Sequence, residues 1–176
     1  MSDPEANGLT SFVFHTDFMI LEKIKEKFLD DVLETSDFRG DLVAVVNKDV
    51  IYDVMEFLKT DPTLQFNVLM DLTAVDYLWQ DRFPRFDVVY HLFSLSQNLR
   101  VRIKAGVDEK EPVIDSLVKL WPIADWFERE VWDMFGIKFK GHPNLKRIMM
   151  YDGFQGHALR KDYPITKRQP LIGPKN

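Results

Sequence analysis

The chain has 176 residues, 45% hydrophobic and 13% aromatic, with 23 Lys and Arg against 28 Asp and Glu and a formal net charge of −5. That length suits one domain with a substantial core, burying roughly 70% of the surface its unfolded form exposes. Cysteine is absent, which excludes disulfides, thiolate zinc sites, a cysteine nucleophile and any cysteine-held iron–sulfur cluster in this chain.

Apolar runs such as Leu42 to Val46 fall far short of the ~20 residues a spanning helix needs. The first residues carry Asp3 and Glu5 without an apolar run, so neither a signal peptide nor a transit peptide is expected. Charge is unevenly shared. Residues 138–176 hold nine Lys and Arg against two Asp, a balance of +7, and residues 1–137 hold 14 against 26, a balance of −12. An acidic body with a basic end marks that end as a candidate binding segment, or as a solvated end that balances charge.

Residues 1–16 read as a loose start. From Asp17 onward, Leu21, Ile24, Phe28 and Val32 recur at helical spacing among Lys, Glu and Asp, which predicts an amphipathic helix. A break at Phe38 to Asp41 precedes a buried strand over Leu42 to Val46. Asp49 is placed to cap a second helix presenting Ile51, Val54 and Leu58, which stops at Asp61-Pro62. Three strands follow, over 68–78, 85–95 and from Leu99 to Ala105. In the last, apolar residues alternate with Arg100, Arg102 and Lys104, the pattern of a strand packed on one side and cationic on the other. The short Ser96 to Asn98 link predicts an antiparallel hairpin.

Pro112 suits the first position of a short helix ending near Trp121-Pro122. Asp125 then suits the cap of another, with Glu128 three residues on and Gly136 at the left-handed C-terminal position. The expected fold is α+β in two layers. Helices pack on a mixed, mostly antiparallel sheet of four to five strands. Residues 1–136 are expected to form the domain, and 137–176 an extended basic tail, the candidate binding segment.

The informative stretch begins at Trp121. Arg129 and Asp133 lie four apart on one helical face, so they are expected to pair. Gly141-His142 and Gly156-His157 each precede a Leu (Leu145, Leu159) and then two basic residues, Lys146-Arg147 and Arg160-Lys161. Such cationic, Gly- and Pro-punctuated segments gain most by lying across an anionic surface.

EREVWDMFG, FKGHPNL and LRKDYP closely resemble the C-subunit family of NADH-quinone oxidoreductase, the thirty-kilodalton-type subunit of respiratory complex I. The pattern is carried by Glu128, Arg129, Glu130, Asp133, Phe135, Gly136, Gly141, His142, Pro143, Asn144, Leu145 and Arg147, then by Gly156, Leu159, Arg160, Lys161, Asp162, Tyr163 and Pro164. It extends upstream to Val75-Asp76-Tyr77 and Arg85 to Tyr90, over about residues 66–166. Lys146 stands where Arg is usual, losing the planar fork, and Ala158 where Pro is usual.

The resemblance implies a non-catalytic assembly subunit in the hydrophilic arm of a proton-translocating enzyme. That enzyme passes electrons from NADH through FMN and iron–sulfur clusters to quinone. It implies partners of the forty-nine-kilodalton quinone-site type (the D-subunit) and cluster-bearing subunits such as B and I. No cofactor is expected in this chain. It implies a peripheral place on the cytoplasmic side of a bacterial inner membrane, or the matrix side in an organelle, with membrane association only through the complex. Equivalent subunits of membrane-bound hydrogenases and photosynthetic NDH complexes are the near alternative.

Other readings weigh less. Glu128, Glu130 and Asp133 would suit the carboxylate pair of a glycosidase, but Arg129 sits among them and would hold them ionised, which favours an ion-paired structural cluster. Glu130, Asp133 and His142 would be the acid–base set of a stand-alone enzyme. His142 and His157 lie in turns and lack a third ligand, which suits hydrogen bonding rather than metal binding. Trp121, Trp126, Trp132 and Phe135 suit core or interface anchors. The body's negative charge opposes nucleic acid. Asp71 and Asp76 interrupt a strand with no role assigned.

Overall fold

The computed structural model describes residues 19–170. The loose start, the first positions of the helix expected from Asp17, and residues 171–176 of the tail lie outside the described residues. Within the first helix (α1, 19–28), Ile20, Leu21 and Ile24 are buried. Val32 does not extend that stripe. Leu29, at φ 43°, opens a short 3-10 turn over Leu29–Asp31, and strand β1 (Val32–Phe38) follows it. A hairpin joins β1 to β2 (Asp41–Val46) through Arg39 and Gly40, at φ 57° and 85°. Two successive left-handed residues match the twist of a tight hairpin.

Asn47, not Asp49, caps the next element: its side chain accepts the Asp49 N–H at 3.2 Å, opening a 3-10 turn over Lys48–Val50. Helix α2 (Ile51–Thr60) then buries Ile51, Val54, Met55 and Leu58. Strands β3 (Val68–Asp76), β4 (Phe86–Ser94) and β5 (Leu99–Val107) follow as expected. The five-stranded sheet runs β1-β2-β5-β4-β3, with β2 and β5 parallel and every other pair antiparallel. Each outer strand carries a bulge, between Val32 and Glu34 in β1 and between Leu69 and Asp71 in β3.

The helix expected from Pro112 is not there. Residues Val113–Asp115 form a short strand, β6, paired in parallel with β7 (Lys138–Lys140). The Pro112 carbonyl accepts the Lys138 N–H and the Lys140 carbonyl accepts the Ser116 N–H, at 2.8 and 2.9 Å. Val113 and Ile114 are β-branched, and the ladder outweighs the helical preference that Pro112 carries. Only a turn closes before Trp121. Helix α3 (Ala124–Phe135) then packs on β3. Asp125 sits in its first turn without capping it, and no side chain caps this end.

The body therefore runs beyond Gly136. Ile137 and Phe139 are buried in the core, and β7 belongs to the small sheet. From Gly141 to Pro170 there is neither helix nor strand. That strap turns back over α3 towards the end of β3.

Candidate functional site

Helix α3 buries three ionisable side chains: Glu128 and Asp133 fully, and Arg129 to 9% exposure. Charges so placed must be paired or hydrogen-bonded, and the strap supplies most of the partners.

Asp133 does not pair with Arg129. Its Oδ2 accepts the backbone N–H groups of Ile148, Met149 and Met150, at 3.1, 2.9 and 2.8 Å, and its Oδ1 pairs with the Arg147 guanidinium. Burial alone would raise this carboxyl, but the Met150 N–H, Arg147 and the other two amides together hold it below the ordinary Asp value. Arg147 also donates to the carbonyls of Phe154 and Gly156, at 2.8 and 3.2 Å, which closes the strap into a loop around its own guanidinium.

Arg129 serves the strap backbone instead. Its Nε and Nη2 donate to the carbonyls of Lys146 and Arg147, at 3.1 and 3.2 Å, and Asp125 lies 4.0 Å from its Nη1. Arg129 and Asp133 share a helical face, as their spacing implies, yet each turns to the strap because that segment offers unpaired amides and carbonyls. Lys146 contributes its carbonyl while its side chain is exposed. His142 Nδ1 accepts the Asn144 N–H at 3.0 Å, leaving Nε2–H to donate to the Asp125 carbonyl at 3.2 Å. His142 thus ties the turn at Gly141 and Pro143, where Gly141 has φ 86°, to the first turn of α3. Leu145 packs against the core, whereas Leu159 is 53% exposed and anchors through its backbone, its N–H reaching the Met134 carbonyl at 3.0 Å.

The end of α3 is closed by the strap as well. Gly136 has φ 80°, and its N–H returns to the Trp132 carbonyl at 2.9 Å. The His157 ring lies over it, so that a Cβ at Gly136 would fall 2.6 Å from Nε2. His157 Nδ1 bonds the Asp133 carbonyl at 3.0 Å, and burial pushes the ring below the ordinary His value. Arg160 Nε donates to the Phe135 carbonyl at 2.6 Å.

A second knot, of which the residue pattern gave no sign, fastens the far part of the strap. Arg85, just ahead of β4, grips Asp76 through Nε and Nη2 at 2.9 and 2.7 Å, and Nη2 also reaches Asp162 at 2.7 Å. Asp76 additionally accepts the Lys161 N–H at 2.8 Å. Burial raises the Asp76 carboxyl, but Arg85 and two amides outweigh it and hold it low. Arg85 likewise holds Asp162 below the ordinary Asp value. Tyr163 stacks on Phe154, ring centres 5.8 Å apart, and a Cβ at Gly156 would meet that Tyr163 ring at 2.9 Å. Pro164 is exposed. The nearest thing to a signal was an acid and an arginine at the ends of two apolar strands, Asp76 and Arg85.

Glu128 stands apart. Its Oε1 accepts the Leu117 N–H and its Oε2 the Ser116 hydroxyl, both at 2.6 Å, tying α3 to the segment after β6. Burial pushes its carboxyl up to about 7 against those two bonds. The expectation that Arg129 would keep it ionised fails because Arg129 faces the strap. Glu130 is exposed, Asp133 is locked beneath the strap, and His142 is bonded to the first turn of α3. These three do not form a shared acid–base site. What the geometry accomplishes is fastening: two of the basic residues expected to meet partner carboxylates, Arg147 and Arg160, bind this chain itself.

Residues 44–169 match the family described as respiratory-chain NADH dehydrogenase, 30 Kd subunit. The NADH-quinone oxidoreductase C-subunit of Citrifermentans bemidjiense is 50% identical over 153 residues, covering 86% of this chain and 92% of that relative. The same-named protein of Roseiflexus sp. (strain RS-1) is 49% identical over 146 residues, 83% of each. Among solved structures, the trypsin-resistant fragment (1-134) of Nqo5 superimposes with a TM-score of 0.65 at 33% identity, covering 74% of this chain and 99% of the fragment. A chain of the archaeal membrane-bound sulfane sulfur reductase superimposes with a TM-score of 0.69 at 24% identity, covering 85% of this chain and 86% of its own, and shares the fold.

Proposed function

The chain belongs to the 30 kDa subunit family of respiratory-chain NADH dehydrogenase, and from that premise we propose that its part in the enzyme is structural. It is one component of an NADH-quinone oxidoreductase. In our reading it holds the quinone-site subunit of the forty-nine-kilodalton type, the D-subunit, in register with cluster-bearing subunits such as B and I. NADH, FMN, the iron–sulfur clusters and quinone then belong to those neighbours. The absence of cysteine supports this for the clusters, since their usual ligands are missing from this chain.

The observation that carries the reading is the strap itself. Its backbone is fastened to α3 and to Asp76 by buried groups, while the side chains of Lys146, Lys161 and Arg168 stand exposed. A fixed backbone presenting free cations suits contact with carboxylates of neighbouring subunits. Among the described residues no helix is long and apolar enough to cross a membrane; in our reading the chain is held at the membrane through the complex, on the cytoplasmic face in a bacterium. The names of the relatives favour this enzyme over a hydrogenase or photosynthetic counterpart.

The test is purification of the tagged chain from its own host after gentle membrane extraction, with mass-spectrometric identification of what accompanies it. The D-, B- and I-subunits in comparable amounts support the proposal. Recovery of the chain alone, with NADH–quinone activity unchanged in a strain lacking it, would overturn it.

A further inference from the structure

Among the described residues, the helices lie on one face of the five-stranded sheet; on the other face Pro84 packs over Gly106, and Asp87 and Val89 are buried beside it, while the Arg100 end is open. On the helix-covered face β5 buries Leu99, Val101, Ile103, Ala105 and Val107. Its alternate residues put Arg100, Arg102 and Lys104 in a row along the opposite face, and none of the three has an ion-pair partner among the described residues. The register sets apolar residues along the β2 side, and Phe93, His91 and Val89 along the β4 side. Val43 and Val45 of β2 lie opposite Arg102 and Lys104, and Phe93 of β4 lies opposite Arg100, whose guanidinium sits 5.5 Å from that ring. A hollow of about 330 Å³ opens at the Arg100 end, lined by Arg100 and Arg102 beside His91, with Asp41 and Asp71 at its rim. Burial and then Arg102 push His91 below its ordinary value, so the charge of this row comes from β5.

Two facts make the row unusual. Residues 1–137 carry a balance of −12, so three aligned, unpaired cations are an exception on this body. The strap cations Arg147 and Arg160, in contrast, are spent on internal bonds. Alternate residues of a strand lie about 6.6 Å apart, and residues four apart on a helix rise about 6 Å. A helix with carboxylates at every fourth position can therefore meet all three cations in turn. Docked there, it would form a third layer on the face opposite the helices.

We propose that the row Arg100, Arg102 and Lys104, flanked by Val43, Val45 and Phe93, is the docking surface for an acidic amphipathic helix of a neighbouring subunit. This rests on the subunit role above and adds a contact made by the body rather than by the strap. Charge complementarity gives the contact its orientation and its sensitivity to salt.

The experiment compares the tagged wild-type chain with Arg100→Glu/Arg102→Glu/Lys104→Glu, and with Lys104→Glu alone, in the host complex. Thermal unfolding of each isolated full-length chain serves as the fold control. The expected result is a loss of co-purifying subunits of at least about tenfold in the triple variant and a smaller loss in the single variant, with unfolding midpoints close to wild type. In the wild-type complex, a carbodiimide should join Lys104 Nζ to an Asp or Glu in a helix of an identified neighbouring subunit. Subunit yield unchanged in the folded variants, or Lys104 joined only to this chain, would overturn the docking surface and leave the subunit role standing. Capture by phosphatidylglycerol vesicles that depends on the row, without such a cross-link, would overturn it in favour of a membrane. A wild-type chain that brings down no other component of the enzyme would remove both proposals.

Discussion

The Asp133 carboxylate binds both the side chain of Arg147 and the three amides that follow it in the chain. One helical residue thus holds the turn of the strap from two directions. Asp133→Ala would remove the carboxylate partner of a part-buried guanidinium and of three amides, so it should destabilise the full-length chain by about 2–3 kcal/mol. Arg147→Ala leaves the three amides in place and should cost less. Urea unfolding of both single variants and the double variant checks this. Additive effects would contradict the joint, because groups in one network are coupled.

Acid should release the strap. Asp76, Asp133 and Asp162 all have carboxyls held below their ordinary value in the folded chain. Groups depressed in this way contribute stability that is complete above about pH 3.9, the ordinary Asp value, and is lost as the pH falls through their folded values. Urea midpoints measured from pH 5 downward should fall steeply, and Asp133→Ala should flatten the slope.

Glu128 works in the opposite sense. Its folded value is pushed up to about 7 by burial, whereas in the unfolded chain it releases its proton near about 4.3. Between these values the folded state holds a proton the unfolded state has lost, so stability declines as pH rises and levels off above 7. Glu128→Gln removes the ionisation and should abolish this decline, which urea midpoints at pH 5, 6 and 7.5 would reveal. Parallel profiles for both proteins would contradict it.

Gly136→Ala should lower stability by about 1–2 kcal/mol, since a side chain is disfavoured at φ 80° and its Cβ would strike His157. His157→Ala in the same chain should relieve the collision but not the backbone strain. Partial recovery in the double variant, read by thermal unfolding, separates the two contributions.

Asp162→Asn weakens the second knot while leaving Arg85 on Asp76. A loss of about 1 kcal/mol raises the open population roughly fivefold. Tryptic cleavage at Arg160, Lys161 and Lys167 should quicken by about that factor when opening is fast relative to cutting. Cleavage elsewhere in the body should be unchanged.

Patterns set by burial were legible in the amino-acid order. Period-two alternation located β5, helical spacing located α2, and Gly136 marked the end of α3. Strand β1 escaped because an edge strand with Glu34, Ser36 and Asp37 buries little and shows no alternation. The segment after Pro112 misled because β6 depends on a partner some 25 residues away, and local preference is silent about that pairing. The residues of the strap were identified by motif, but their partners were not. Arg129 and Asp133 stand four apart, and nothing in that spacing reveals that each would find better bonds on a returning backbone. Asp76 and Arg85 fell within the motif pattern with no role assigned, and became a clasp once Lys161 and Asp162 arrived beside them.

The two bulged outer strands bear on the life of the chain before assembly. A flat outer strand would offer an even row of amides and carbonyls to a second copy. In β1 the irregularity between Val32 and Glu34, and in β3 that between Leu69 and Asp71, break the row near one end, with carboxylates at Glu34 and Asp71 beside them. Strand-to-strand growth is therefore blocked at both sides of the sheet.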